Sequence, residues 1–235
     1  MPGELDEKQR HQLLTAMQHP RGRYSAERAS QLSGVPTSTV YDWQRNSVYV
    51  PDFGGAKPMA WSYRDLVYLR LLAWLRQLKM QRPMAADRVK AIKAHVSSGH
   101  DLRVIMATSH SVVFDDERSD RITGENLLPF EDFTGLLSVF DLLDPVEELG
   151  NRPLWGPDLV TPSEHTYISP WVLGGDPCVE NTRIPTATIL ALHEERGLNT
   201  AQIVELYPGL GAVAAEDAYT LEKRLRGIDR QRPAA

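Results

Sequence analysis

The sequence predicts a mainly α protein with short β-hairpins: a winged helix-turn-helix N-terminal domain followed by a C-terminal three-helix domain. Three observations predict it. Two short helical patterns are joined by a turn and followed by a Gly/Pro-rich hairpin segment. Residues 21–103 carry 14 Lys/Arg against 6 Asp/Glu, a net +8, in a chain whose overall charge is −5. The last sixty or so residues hold three short apolar-periodic segments, each closed by turn residues.

Leu5 to Met17 reads as a first helix with Leu13, Leu14 and Met17 on its apolar side, stopped by His19-Pro20-Arg21-Gly22. In "YSAERASQLSGVPTSTVYDWQRNSVYVP", Ser25 is the N-cap of a second helix, whose Ala29 and Leu32 face inward and which Gly34 ends. Val35-Pro36-Thr37 is the turn, and Thr37 is placed to cap a third helix running to about Asn46. Val40 and Trp43 share one face of that helix, while Ser38, Tyr41, Asp42 and Arg45 lie off it. Two helices so joined are the unit whose second helix enters the major groove. Val48-Tyr49-Val50 and Met59-Ala60-Trp61 read as the strands of a wing around "PDFGGAKP", with Lys57 near its tip.

Ser62 caps a long helix to about Lys79. Its apolar residues, among them Leu66, Leu71, Trp74, Leu75 and Leu78, cover more than one stripe, so it should be buried on two sides. A core helix between two layers would satisfy that; so would a helix packing against its two-fold mate, the preferred reading. Leu71, Trp74, Leu75 and Leu78 are then dimer-interface candidates in a homodimer. After Pro83, Ala85 to Val96 reads as a further helix. Leu102 to Met106 and Val112 to Phe114 suggest a hairpin, Asp115 to Asn126 an acidic loop, and Phe130 to Leu143 a helix. Five prolines between Asp144 and Pro170 suggest a linker.

Ile168 to Val172 and Cys178-Val179 are strand-like around the Gly174-Gly175-Asp176-Pro177 turn. Helices follow at about Thr186 to Arg196, Thr200 to Leu206 and Val213 to Arg226, with Gly197 as a stop and Asn199-x-x-Gln202 as a capping box.

Charge and composition narrow the function classes. Residues 104–170 carry 3 Lys/Arg against 13 Asp/Glu, a net −10, so the basic block either meets a polyanion or neutralises the acidic one within the fold. No apolar run approaches the ~20 residues that span a bilayer, and the start lacks a basic segment followed by an apolar one, so no secretory signal is expected. One cysteine excludes an intrachain disulfide framework and a multi-thiolate metal site. The expected compartment is the cytoplasm.

"GGDPCVENTRIPTATIL" offers a Gly-rich loop and a cysteine but lacks the Lys-Ser/Thr of a phosphate-binding loop and the spacing of a dinucleotide fingerprint. Cys178 has no local nucleophile signature and reads as a small buried residue. No metal set and no nucleophile–base–oxyanion constellation can be assembled, so neither a cofactor nor an enzyme is expected.

Two resemblances add to this. "YSAERASQLSGVPTSTVYDW" and "AWSYRDLVYLRLL" make Tyr24 to Arg82 resemble a MerR-type DNA-binding domain. By that resemblance Ser38, Tyr41 and Arg45 fall on the recognition helix, with Tyr63 and Arg64 beside the wing. Tyr41 stands where that family often has arginine, and the family's long coiled coil and metal-sensing cysteines are missing. The second stretch, "GGDPCVENTRIPTATILAL…GLNTAQIVELYPGL…AAEDAYTLEKRL", is similar to a small trihelical family long described as of unknown function. Gly175, Pro177, Thr182, Arg183, Ile184, Pro185, Gly197, Tyr207, Pro208 and Leu210 match its frame, and Asn181 replaces a glycine, mildly because Asn tolerates positive φ. Members of that family resemble antitoxins encoded beside a PIN-domain ribonuclease, and the order of the two domains resembles a VapB-type antitoxin of the mycobacterial kind.

The resemblance implies an antitoxin that binds operator DNA as a homodimer and neutralises a cognate PIN-domain ribonuclease toxin. The implied DNA set is Thr37, Ser38, Tyr41, Arg45, Lys57, Tyr63 and Arg64, and Arg183 is the candidate that plugs a carboxylate-lined toxin site. The expected organisation is an N-terminal helix and arm at 1–23, the DNA-binding domain at 24–100, an acidic middle and linker at 101–165, the trihelical domain at 166–227 and a tail at 228–235. The alternative is a MerR-like transcription regulator whose middle segment binds a small effector.

Overall fold

In the computed structural model, residues 7–99, 102–107, 112–116, 122–123, 135–138, 140–146 and 155–230 are described. Among them the chain is mainly helical: α1 (Glu7–Gln18), α2 (Ala26–Ser33), α3 (Thr37–Arg45), α4 (Tyr63–Gln77), α5 (Arg82–Ser97), α6 (Thr186–Glu194), α7 (Thr200–Leu206) and α8 (Ala212–Arg230). The strands are β1 (Leu102–Ala107), β2 (Val112–Asp116), β3 (Ile122–Thr123), β4 (Gly135–Ser138), β5 (Thr166–Tyr167) and β6 (Cys178–Val179).

The helix ends follow from local chemistry. The Ser25 hydroxyl accepts from the Arg28 N–H at the start of α2, and Gly34 closes α2 with a left-handed φ of 75°. Ser62 and Asp65 form a reciprocal capping box on α4, and Asn199 and Gln202 form another on α7. Thr37 does not cap α3. Pro36 holds the cap position, and the Thr37 hydroxyl, nearly buried, donates to Ser30 Oγ at 3.0 Å, tying α3 to α2.

The wing differs from expectation. Val48-Tyr49-Val50 is not a strand, because Tyr49 turns inward and donates to Asp65 at 2.6 Å. The segment holds one bridge, Phe53 to Ala60, and Trp61 pairs with Tyr24 instead. The expected helix over Phe130 to Leu143 is replaced, within the described residues, by β4 and a 3₁₀ turn at Phe140–Leu142. A short apolar run does not distinguish helix from strand, and here a sheet edge was available. The sheet runs β3-β2-β1-β4, all antiparallel, so the expected β1–β2 hairpin forms the centre of something larger. Most of the expected acidic loop after Asp116 lies outside the described residues.

Helix α4 is a core helix between layers. Leu71 and Leu75 are 0% exposed within a single chain, and Trp74 and Leu78 are half-buried against the same cluster. The helices packed around it are α1, α2 and α5. This corrects the reading of Leu71 and Leu75 as dimer-seam residues, since their apolar surface is already covered within one chain; Trp74 and Leu78 stay partly exposed.

The proline-rich stretch is no free linker where it is described. Val146 and Gly156 exchange backbone hydrogen bonds of 2.8 Å, Leu159 is buried, and the backbone wraps Arg70. The Arg70 guanidinium is buried and donates to Leu32 O, Ser33 O, Leu142 O, Leu143 O, Asp144 O and Pro157 O, at 2.5–3.2 Å. Two of these carbonyls end α2, where a helix dipole favours a cation.

Three helices, α6, α7 and α8, enclose a second cluster of Val179, Ile189, Ile203, Leu210, Ala215 and Ala218. Farther along α8, Leu221 and Leu225 belong to the main core instead. That helix therefore joins the two clusters.

Candidate nucleic-acid interface

Helix α3 is presented from behind. Val40 and Trp43 are buried, whereas Ser38, Tyr41 and Arg45 are exposed on the outer side. The Tyr41 phenol donates to Glu27 at 2.8 Å. Asp42 is committed elsewhere, to Arg82 at 2.7 Å. Lys57 is exposed in the loop between Phe53 and Ala60. Of the residues expected to contact DNA, these four (Ser38, Tyr41, Arg45 and Lys57) are open to a ligand.

The other three are not. Tyr63 is fully buried, and its phenol donates to Leu159 O at 2.9 Å. Arg64 makes a bidentate pair with Asp52, at 2.8 and 2.9 Å, and its remaining nitrogen donates to Met17 O, Gln18 O and Ser97 Oγ. Thr37 is the third, held by Ser30. The correction has one cause: the first turn of α4 and the start of α3 point into the core, so their polar groups are consumed holding the fold.

Arg64 belongs to a buried charge cluster that the sequence did not reveal. Lys93 reaches Asp52 at 2.9 Å and Asp65 at 2.8 Å. Burial pushes the Asp65 carboxyl up against the pull of Lys93. Burial acts on Asp52 in the same direction, but Arg64, Lys93 and Ser62 overcome it and hold that carboxyl well below the usual range.

The basic block is thus partly spent at home. Its described ion pairs join Asp42, Asp52 and Asp65 in the same block and Asp176 and Glu222 in the C-terminal region. Arg21, Arg23, Arg45, Lys57, Arg76, Lys79 and Lys90 stay exposed.

The "GGDPCVENTRIP" stretch builds a structural turn. Asn181 adopts φ 58°, as its replacement of glycine required, and the Thr182 hydroxyl accepts from the Ile184 N–H while donating to Val179 O. Cys178 is buried, its Sγ donating to Asp176 O, and burial, helped by Asp176, pushes the thiol up to about 11. It should therefore react with iodoacetamide on the order of a hundredfold more slowly than a free cysteine at pH 7.5, and at ordinary rate in urea. Mass-spectrometric labelling checks this, and fast modification of the folded chain would refute it. Arg183 is exposed at the β6–α6 junction and makes no ion pair among the described residues.

Arg28 on α2 locks this region to the N-terminal helices. It reaches Asp176 at 3.0 Å and Glu222 at 2.6 Å, and Glu222, itself 2% exposed, also accepts from Thr186 at 2.5 Å. Glu222 sits between Leu221 and Leu225 on the inward side of α8, and a carboxylate within an apolar stripe was the signal that could have marked it.

Together these features make a mainly helical scaffold that presents one helix and a cationic loop. Residues 167–220 are similar to a family described as a protein of unknown function (DUF433), a match of 54 of the 235 residues. No curated protein and no solved structure matches the chain. No helix among the described residues is long and apolar enough to cross a membrane.

Proposed function

We propose that the chain is a DNA-binding antitoxin: a non-enzymatic protein that holds operator DNA through α3 and the cationic loop and neutralises a PIN-domain ribonuclease. The observation that carries the DNA part is the free outer face of α3, with Ser38, Tyr41 and Arg45 exposed while Val40 and Trp43 anchor the helix. A three-residue turn, Gly34-Val35-Pro36, sets α3 against α2, and α4 backs α2, which is the packing a winged helix-turn-helix uses to offer its second helix to a major groove. Exposed Arg21, Arg23 and Lys57 supply phosphate contacts. The toxin part rests on the resemblance of the C-terminal region to antitoxin-associated domains and on Arg183, whose exposed guanidinium, with no ion pair among the described residues, suits a cluster of carboxylates.

Fluorescence anisotropy with duplexes tiling the DNA upstream of the chain's own gene tests the first part. Log K is expected to fall with log salt by about 0.9 for each phosphate contacted. Arg45→Ala should weaken binding severalfold and reduce that slope by about one. Tyr41→Ala should cost more on the best duplex than on random sequence. A salt-independent affinity would refute the model. For the second part, the product of the adjacent reading frame should co-purify with the chain and lose ribonuclease activity in the complex. Arg183→Ala should restore cleavage; unchanged inhibition would remove Arg183 from the interface.

A further inference from the structure

Trp171 and Leu173 are 40% and 42% exposed, two of the six exposed large apolar side chains among the described residues and the two that lie side by side on one turn. They lie on a tight turn before β6. Leu173, Gly174 and Gly175 take φ values of 47°, 70° and 91°, three successive left-handed residues. For leucine that conformation costs energy, and such strain persists only where the surroundings enforce it.

The enforcement comes from the N-terminal helices. Arg23 N donates to Gly174 O at 2.6 Å, the buried Tyr24 phenol donates to Gly175 O at 2.8 Å, and Asp176 pairs with Arg28 at 3.0 Å. The same strip of backbone continues sideways. Tyr24 and Trp61 exchange hydrogen bonds of 2.8 and 2.9 Å, Ala60 bridges Phe53, and the Arg23 guanidinium reaches Pro58 O at 3.4 Å. One edge of the molecule thus runs from the Trp171–Leu173 turn, past Arg21 and Arg23, to Lys57. All three cations are exposed, and the turn's own carboxylate, Asp176, is already paired.

We infer that the Trp171–Leu173 turn is a second duplex-DNA contact, contributed by the C-terminal region and positioned beside Arg21, Arg23 and Lys57. The inference rests on the DNA-binding reading above and extends it beyond α3 and the loop. The charge of this edge selects a polyanion over a protein surface. A rigid apolar tip flanked by arginines matches the way proteins wedge side chains at base steps of a minor groove while cations hold the phosphates. Docking the C-terminal region on α2 then has a use: it sets that tip at a fixed place along the duplex.

The test uses the full chain and the tiled upstream duplexes. Trp171→Ala/Leu173→Ser is expected to lower affinity about tenfold with the salt slope unchanged, because the lost contact is apolar. Both side chains are exposed, so the melting temperature should stay within a degree or two of the parent, which separates the effect from misfolding. Arg45→Ala serves as the control on α3. If Arg45→Ala weakens binding and the double variant does not, this inference is overturned while the DNA reading stands. If the unaltered chain binds none of the duplexes, the DNA reading itself fails, and the inference with it. If the double variant keeps DNA but loses the co-purifying protein, the turn is a protein contact and the inference is wrong.

Discussion

Replacing Arg70 by methionine is expected to lower the melting temperature by roughly 6–12 °C, the equivalent of about 3 kcal/mol in a chain of this size. Methionine keeps an apolar stem of similar reach but removes every donor. Six carbonyls lose their partner: two at the end of α2, three across Leu142 to Asp144, and Pro157 O. Buried acceptors left unpaired cost ~1–3 kcal/mol each, but the sum overstates the effect. Burial draws the Arg70 guanidinium down to about 10, so desolvating it is itself costly, and deleting it returns part of that cost. Water can also enter near Asp144, which is exposed. Arg70→Lys should recover little, because one ammonium with three donors cannot span a fork of carbonyls on two sides. A thermal or urea transition within a degree of the parent would show that the clamp is dispensable. Amide exchange should localise the loss to 142–146 and 155–160 before the rest of the core opens.

Gly175→Ala is expected to cost about 2–4 kcal/mol through two separable terms. The backbone φ of 91° is unsuited to a side chain, and an added Cβ would overlap the Tyr24 phenol, lying 2.7 Å from its Cζ. Tyr24 cannot swing aside, because it is 1% exposed, its backbone is paired with Trp61 and its hydroxyl holds Gly175 O. The turn must move instead, loosening Arg23–Gly174 and Arg28–Asp176 together. A double-mutant cycle checks the mechanism. Tyr24→Leu should cost less in the Gly175→Ala background than in the parent, since it removes the group that clashes. Strict additivity would mean that backbone strain alone accounts for the loss. DNA affinity should fall with the turn's displacement if the Trp171–Leu173 contact is real.

Particular residues show how much was legible. Ser25, Gly34, Ser62 and Asn199 marked helix ends that the structure keeps, because capping needs only neighbours within one turn. Asn181 was readable as a left-handed position for the same local reason. Ser38, Tyr41 and Arg45 were separable from Val40 and Trp43 by helical spacing alone, and the structure leaves them exposed. Tyr63, Arg64 and Thr37 were misplaced because their partners lie on other elements that only the packing brings close: Leu159 for Tyr63, Asp52 and α1 for Arg64, Ser30 of α2 for Thr37. The dimer reading of Leu71 and Leu75 failed on the same ground, since periodicity reports that a face must be covered and not by what.

By itself, then, the sequence determined the helices of the two ends, their caps, the charge asymmetry and the similarity of the 167–220 segment to a family described as of unknown function. Those are properties of short windows, set by propensity, spacing and local hydrogen bonds. Only the tertiary structure decided which cations remain free, why the proline-rich stretch closes around Arg70, and how Arg28 and Glu222 bring α8 against α2. These depend on pairing groups 87 and 194 residues apart. A buried charge finds its partner through the three-dimensional packing that excludes water, and no local pattern in the chain specifies that partner.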